Sequence, residues 1–281
     1  MMRLVSLFVL LMFAIGAFAQ EKVERKTYFP KSEIQPDKIP SFKNTWVFIM
    51  AGQSNMAGRG QVEPQDTLPN PRILTINSQG KLILAKEPLH FYEPTMSGLD
   101  CGVSFAQTLL KSVPDSITIL MIPTAVGGSA IDQWLGDSIH RNVKLLTNFR
   151  DKVDIARKYG EVKAIIWHQG ESDSNAKLIG SYEGKLRNLF GQFRNYVNKP
   201  NLPIVIGEIG IFTDNAENKK LMNQTIHHFA GTEPNAACVS TGDLKHRGDK
   251  LHFDSASQRI MGERMAQAWL NLYGINIQNN K

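Results

Sequence analysis

A doubly wound α/β domain is the fold this sequence predicts. Short runs that are mostly apolar on both faces recur along the chain, as buried parallel strands require. Longer stretches with apolar residues three and four positions apart fall between them. Alternation of this kind builds a sheet with helices on both faces. In chain order, a polar, proline-containing lead from Glu21 to Asn44 gives way to the strand runs "WVFIM" (46–50), "RILTI" (72–76), "SITILMI" (116–122), "VKAIIW" (162–167) and "PIVIGEI" (203–209). Val143, Leu146, Phe149, Val153 and Ala156 share one helix face. Tyr182, Leu186, Leu189, Phe193 and Val197 share a second, and Met261, Met265, Ala268 and Leu272 a third. No internal repeat, low-complexity tract or domain linker interrupts the pattern.

At 281 residues the chain is long enough to bury a sizeable core. Its opening, "MMRLVSLFVLLMFAIGAFAQ", has a basic Arg3, an apolar run from Leu4 to Phe13, and small Ala17 and Ala19 ahead of Gln20. That is the pattern of a signal peptide cleaved after Ala19. The run falls short of the ~18 residues of a membrane span, and no similar stretch follows. The expected organisation is a leader over 1–19, a lead segment over 20–44 and one domain over 45–281. The protein is expected to be secreted or periplasmic, with no stable membrane insertion after cleavage. The formal net charge is +6, one less without Arg3, and the lysines and arginines are scattered, which argues against a nucleic-acid partner. Cys101 and Cys238 fit either a disulfide or two buried thiols, and no metal-type cysteine spacing occurs.

In such a sheet, ligands bind beyond the carboxyl ends of the strands. The loop "AGQSNMAG" follows the first strand, "PTAVGGSAIDQW" the third and "HQGESDS" the fourth, while "GDKLHFDSASQ" precedes the last helix. Together they can bring Ser54, Gly127, Gly128, Gln169, Glu171, Asp249 and His252 to one edge, and these are the parts of an acyl-transfer site. A serine hydroxyl needs a base, and the imidazole of His252 titrates near neutrality. Asp249, three residues earlier, can hold that imidazole from the same turn, with Glu171 as a secondary acid. The oxyanion needs hydrogen-bond donors. Candidates are the Ser54 N–H, the N–H of Gly127 or Gly128, where a missing Cβ lets substrate approach, and the Gln169 amide. Gln53 and Asn55, flanking the serine, are candidate substrate-binding residues. Each feature alone is an ordinary turn feature, and it is their order at strand ends that makes them a site. His140, His227, His228 and His246 fall at ordinary helical or loop positions, and "HQGE" lacks the His-x-x-x-His spacing of a zinc hydrolase.

The blocks "GQSNMAG", "AVGGSAIDQW", "WHQGESDS" and "DKLHF" resemble, in the same order, the signature blocks of the sialate O-acetylesterase-like branch of the SGNH hydrolases. That branch is similar to the acetyl-xylan esterases of carbohydrate esterase family six. The resemblance runs from about Trp46 to the last helix. It implies a flavodoxin-like three-layer α/β/α fold with a central parallel sheet, no metal or other cofactor, and removal of acetyl groups from sugar hydroxyls. The partner is then an acetylated carbohydrate. It also implies Ser54 as nucleophile, Gly127 or Gly128 with Gln169 as oxyanion donors, and Asp249 and His252 as acid and base. The superfamily expects asparagine in the third block. Gln169 stands there, as it does in this branch, which sets the amide one methylene further out.

Two other classes make different demands. An α/β-hydrolase carries its nucleophile in G-x-S-x-G, whereas Gly52-Gln53-Ser54-Asn55-Met56 lacks the second glycine. A catalytically silent glycan-binding protein would use Trp134, Trp167 and Tyr92 as stacking faces. Loops 78–100 and 211–220 are the expected specificity loops, and sialic acid, xylose and N-acetylated hexosamines all remain open as the sugar.

Overall fold

The computed structural model describes residues 32–213 and 216–274, so the leader expected at 1–19 lies outside the described residues. The strands are β1 (Thr45–Gly52), β2 (Ile73–Ile76), β3 (Leu82–Leu84), β4 (Thr118–Pro123), β5 (Ile139–His140), β6 (Val143–Lys144), β7 (Glu161–His168), β8 (Ile204–Gly207) and β9 (Ala236–Val239). The helices are α1 (Ser54–Ala57), α2 (Gly102–Leu110), α3 (Ile131–Leu135), α4 (Leu145–Ala156), α5 (Ile179–Val197), α6 (Glu217–Thr232) and α7 (Ser255–Tyr273).

Among the described residues, seven strands form one sheet in the order β3-β2-β4-β1-β7-β8-β9, while β5 and β6 make a separate small hairpin. All neighbours in the large sheet are parallel except β2 and β3. The central parallel sheet expected from sequence is present, and it carries one antiparallel strand at its edge. The cause is local. Only the short turn from Asn77 to Lys81 joins β2 to β3, and so tight a connection permits only antiparallel pairing.

The apolar runs behave as two-faced strands should. Val47, Ile49 and Ala51 of β1 enter one core with residues of α3, α4, α5 and α6. Phe48 and Met50, pointing the other way, enter a second core with α2 and α7. Two cores on either side of one sheet give three layers. Trp134 and Trp167 are fully buried in the first core, and the Tyr92 hydroxyl donates to Pro123 O and Asn148 Oδ1. Neither tryptophan is open to stack on a sugar, and the partly buried Tyr92 packs against the same core.

One further detail departs from expectation: Val143 belongs to β6, and the helix after it begins at Leu145. Of the two states open to Cys101 and Cys238, the structure shows free thiols. β1 lies at the centre, with β4 on one side and β7 on the other, and the chain crosses from one half of the sheet to the other between those two strands. That makes the carboxyl end of β1 the topological switch point, where α/β sheets open a crevice.

Candidate active site

The loops after β1, β4 and β7 and the segment before α7 enclose a cleft of about 270 Å³ at this switch point. β1 leaves the sheet through Gly52, which has φ of +138°, and a Cβ there would collide with His168 O. Only glycine allows this close approach. The sharp turn that follows places Gln53 and Ser54 in the cleft wall.

Ser54 Oγ lies 3.0 Å from His252 Nε2, and His252 Nδ1 lies 2.7 Å from Asp249 Oδ2. Asp249 Oδ1 accepts from the backbone N–H groups of Leu251 (3.0 Å) and His252 (2.8 Å), so the turn that separates the two residues also orients them. Arg247 Nε stands 3.1 Å from Asp249 Oδ2. Burial alone would raise the Asp249 carboxyl, but the hydrogen bonds from His252 and Leu251 outweigh it and hold the pKa at about 2. Burial pushes the His252 imidazole below the usual histidine range, against the upward pull of Asp249. At neutral pH this is a neutral imidazole beside a carboxylate. The carboxylate fixes the proton on Nδ1 and leaves Nε2 to accept from the serine hydroxyl.

Glu171 does not take part in that line. Its Oε1 accepts from Asn55 Nδ2 at 2.6 Å, and among the described residues its Oε2 has no hydrogen-bond donor. Asn55 is fully buried and does not line the cleft. Its Nδ2 also donates to Leu251 O (3.3 Å) and its Oδ1 accepts from Phe253 N–H (3.1 Å). The residue expected to bind substrate thus clamps the serine loop to the histidine segment.

Gln169 is also fully buried and absent from the cleft wall. The two hydrogens on its Nε2 are shared among three acceptors, Gln53 Oε1 (3.2 Å), Ser129 O (3.1 Å) and Asp173 Oδ2 (2.5 Å), while its Oε1 accepts from the Tyr182 hydroxyl at 2.8 Å. No donor of that amide is left for an oxyanion. The neighbouring Gln53 does line the cleft. Its Oε1 is held by Gln169 and by the Ser172 N–H at 3.2 Å, and its Nε2 has no acceptor among the described residues.

The structure also separates Gly127 from Gly128. The Gly127 N–H donates to Glu93 Oε2 at 2.6 Å, whereas the Gly128 N–H has no acceptor among the described residues. Glu93 is a buried hub that also pairs with Arg59 (2.8 Å) and Arg141. Burial would raise its carboxyl, but Arg59 and the Gly127 N–H hold it below the usual range. Arg59, Arg141 and Met96 line the cleft, and the residues singled out from the sequence include neither arginine. A charge set between glycines at Gly58-Arg59-Gly60 is the signal for Arg59. Arg141 has no such mark, because only tertiary packing carries β5 and β6 to the cleft. Of the expected specificity loops, 78–100 supplies Met96, and no described residue of 211–220 lines the cleft. Among the described residues, no group of three or more His, Cys, Asp or Glu side chains could hold a metal ion.

The fold is that of the SGNH-type esterases. The family model described as "Carbohydrate esterase, sialic acid-specific acetylesterase" matches residues 44–271. The chain is 31% identical over 263 residues to "Probable carbohydrate esterase At4g34215" of Arabidopsis thaliana, covering 86% of this chain and 95% of that protein. The X-ray structure of the Arabidopsis protein matches with a TM-score of 0.71 at 29% identity, over 82% of this chain and 98% of that one. The crystal structure of NanS matches with a TM-score of 0.69 at 18% identity, over 85% and 100%, which is a likeness of fold. The chain belongs to the sialic acid-specific acetylesterase family of carbohydrate esterases. It is a carbohydrate acetylesterase, a carboxylic ester hydrolase.

Proposed function

We propose that this chain removes O-acetyl groups from sugars through an acetyl-enzyme formed on Ser54. The observation that carries the reading is the unbroken line from Ser54 Oγ through both nitrogens of His252 to Asp249, opening into a cleft. His252 takes the serine proton as Oγ bonds to the acetyl carbon, and then gives it to the departing sugar oxygen. Water repeats the cycle and releases acetate. The developing oxyanion is held by the Ser54 N–H, the Gly128 N–H and Gln53 Nε2, which takes the part expected of Gln169. Asp249 holds the tautomer, and Glu171 braces the serine loop through Asn55.

The Arg141 side chain, 40% exposed on the cleft wall, favours a sugar bearing a carboxylate, such as sialic acid, over neutral xylose. The leader expected at 1–19 puts the reaction outside the cytoplasm. Acetate release from O-acetylated sialic acid and from acetylated xylose tests both levels. Ser54→Ala is expected to leave only the residual catalysis of binding and oxyanion donors, roughly 10³–10⁴ over water. Turnover near wild type in that variant would overturn the mechanism, and equal kcat/KM for the two sugars would overturn the acidic-sugar reading alone.

A further inference from the structure

We infer that His140, oriented by Gln133, sets the Gly128 N–H in place as an oxyanion donor. Both are positioning residues, and the inference rests on the reading of Ser54 and Gly128 given above. The starting point is the set of polar groups on Gly127 and Gly128. The Gly127 N–H donates to Glu93, the Gly127 C=O lies 2.9 Å from His140 Nε2, and the Gly128 C=O accepts from Ser172 Oγ at 3.2 Å. Three of the four groups are engaged by protein, and the Gly128 N–H is left. It shares one peptide unit with the Gly127 C=O. In a trans peptide the two point in opposite directions, so whatever holds the carbonyl also aims the N–H. His140 does not line the cleft, whereas Gly127 and Gly128 do. The carbonyl is pulled back toward the hairpin of β5 and β6, and the N–H faces the other way. Gly128 has φ of +75°, a conformation that glycine adopts without a Cβ penalty, so the bond to His140 selects a peptide orientation the backbone does not oppose.

For His140 to hold a carbonyl, its Nε2 must carry a proton. The proton's location follows from Gln133. Gln133 Oε1 accepts from the Ala130 N–H at 2.9 Å, which assigns the amide nitrogen to the other side. Gln133 Nε2 lies 3.2 Å from His140 Nδ1 and can only donate to it. Nδ1 is therefore the acceptor, and the neutral ring carries its hydrogen on Nε2, directed at Gly127 O. A single run of donors leads from the Ala130 backbone through Gln133 and His140 to the peptide that faces the substrate. Gln133 sits in the block "AVGGSAIDQW" and His140 seven residues later, and neither touches the reacting atoms.

The test compares wild type, His140→Ala, His140→Gln and Ser54→Ala on an O-acetylated sugar, with folding followed by circular dichroism. Loss of one oxyanion donor costs about 10²–10³ in kcat, which bounds the effect from above. His140→Ala is expected to lower kcat at least about tenfold with KM within about twofold, because the interaction matures only in the transition state. His140→Gln, whose amide can donate to the same carbonyl, is expected to recover most of that loss. NMR of protein labelled with ¹⁵N-histidine reads the tautomer directly. A proton on Nε2 of His140 is expected, and one on Nδ1 overturns the inference even if the alanine variant fails to fold. Should Ser54→Ala be inactive while His140→Ala keeps wild-type kcat, or loses only KM, the positioning role fails and the nucleophile reading survives. Turnover in Ser54→Ala removes both.

Discussion

His252 is pulled in two directions, and the balance can be measured. Burial disfavours the imidazolium, while Asp249 at 2.7 Å favours it, and burial prevails. The base works only when neutral. A lowered pKa therefore extends activity toward acid, and the acid limb of kcat/KM against pH is expected to have its midpoint below the ordinary histidine value of about 6.5. A midpoint above that value would mean that Asp249 dominates. The two carboxylates near the histidine are expected to differ sharply. Asp249→Asn should lower kcat on a sugar ester by up to about 10⁴, because the imidazole is released to the wrong tautomer. Glu171→Gln should cost much less, since its carboxylate accepts from Asn55 rather than from His252. A larger loss in Glu171→Gln, with both variants folded, would exchange their roles. Ser54, Asp249 and His252 were legible because each sits at a strand end or helix start with a spacing that chemistry explains. Sequence alone does not tell which glutamine amide faces the cleft. Gln53 and Gln169 touch in the fold, and only their hydrogen-bond partners show that Gln53 Nε2 is the one with no acceptor among the described residues.

Elements carry the site as rigid mounts. The histidine segment is tied to α7 by Asp254, whose side chain accepts from the Ser257 N–H at 2.8 Å and caps the helix two residues after His252. Asp254→Ala is expected to cost about 1 kcal/mol of stability, read from urea unfolding, and to lower kcat as well, because the helix start and the base share one turn. A stability loss with unchanged kcat would separate the two. Helices with strong apolar faces, such as α4 and α5, could be read from periodicity. By contrast α6, which buries only Met222, Asn223, Ile226 and Phe229, and the four-residue β9 gave little to read. β3 is only three residues long, and its direction follows from the turn before it rather than from its own side chains.

The whole molecule is two cores divided by a sheet, with chemistry at the one point where the chain changes sides. That division predicts additivity. Ile226→Val in the core under α6 should cost roughly 0.5–1.5 kcal/mol, and Leu109→Ala in the core under α2 roughly 2–5 kcal/mol. The double variant should equal their sum within about 0.5 kcal/mol in denaturant unfolding, because the sheet separates the sites. A larger deviation would show the sheet transmitting strain between its faces. The α/β class and the strand-end location of the site followed from alternation alone, since parallel strands apolar on both faces must be covered twice. The arrival of Arg141 at the cleft and of Glu93 behind it did not, because the β5–β6 hairpin that carries Arg141 and the connection that carries Glu93 are placed by contacts far along the chain.

Glu93 stands at the root of one such connection. Its carboxylate is locked between Arg59, Arg141 and the Gly127 N–H, and its carbonyl accepts from the N–H groups of Met96 and Ser97, both at 2.8 Å. The loop is thereby anchored at a residue that also secures Gly127, while Met96 projects to the rim 37% exposed. Descendants of this chain can exchange Met96 and reshape the sugar-facing rim while the acetyl-handling interior stays intact. Exchange of Glu93 would disturb rim and interior together. A library randomised at Met96 should therefore yield active enzymes with altered glycan preference, and one randomised at Glu93 should yield mostly inactive ones.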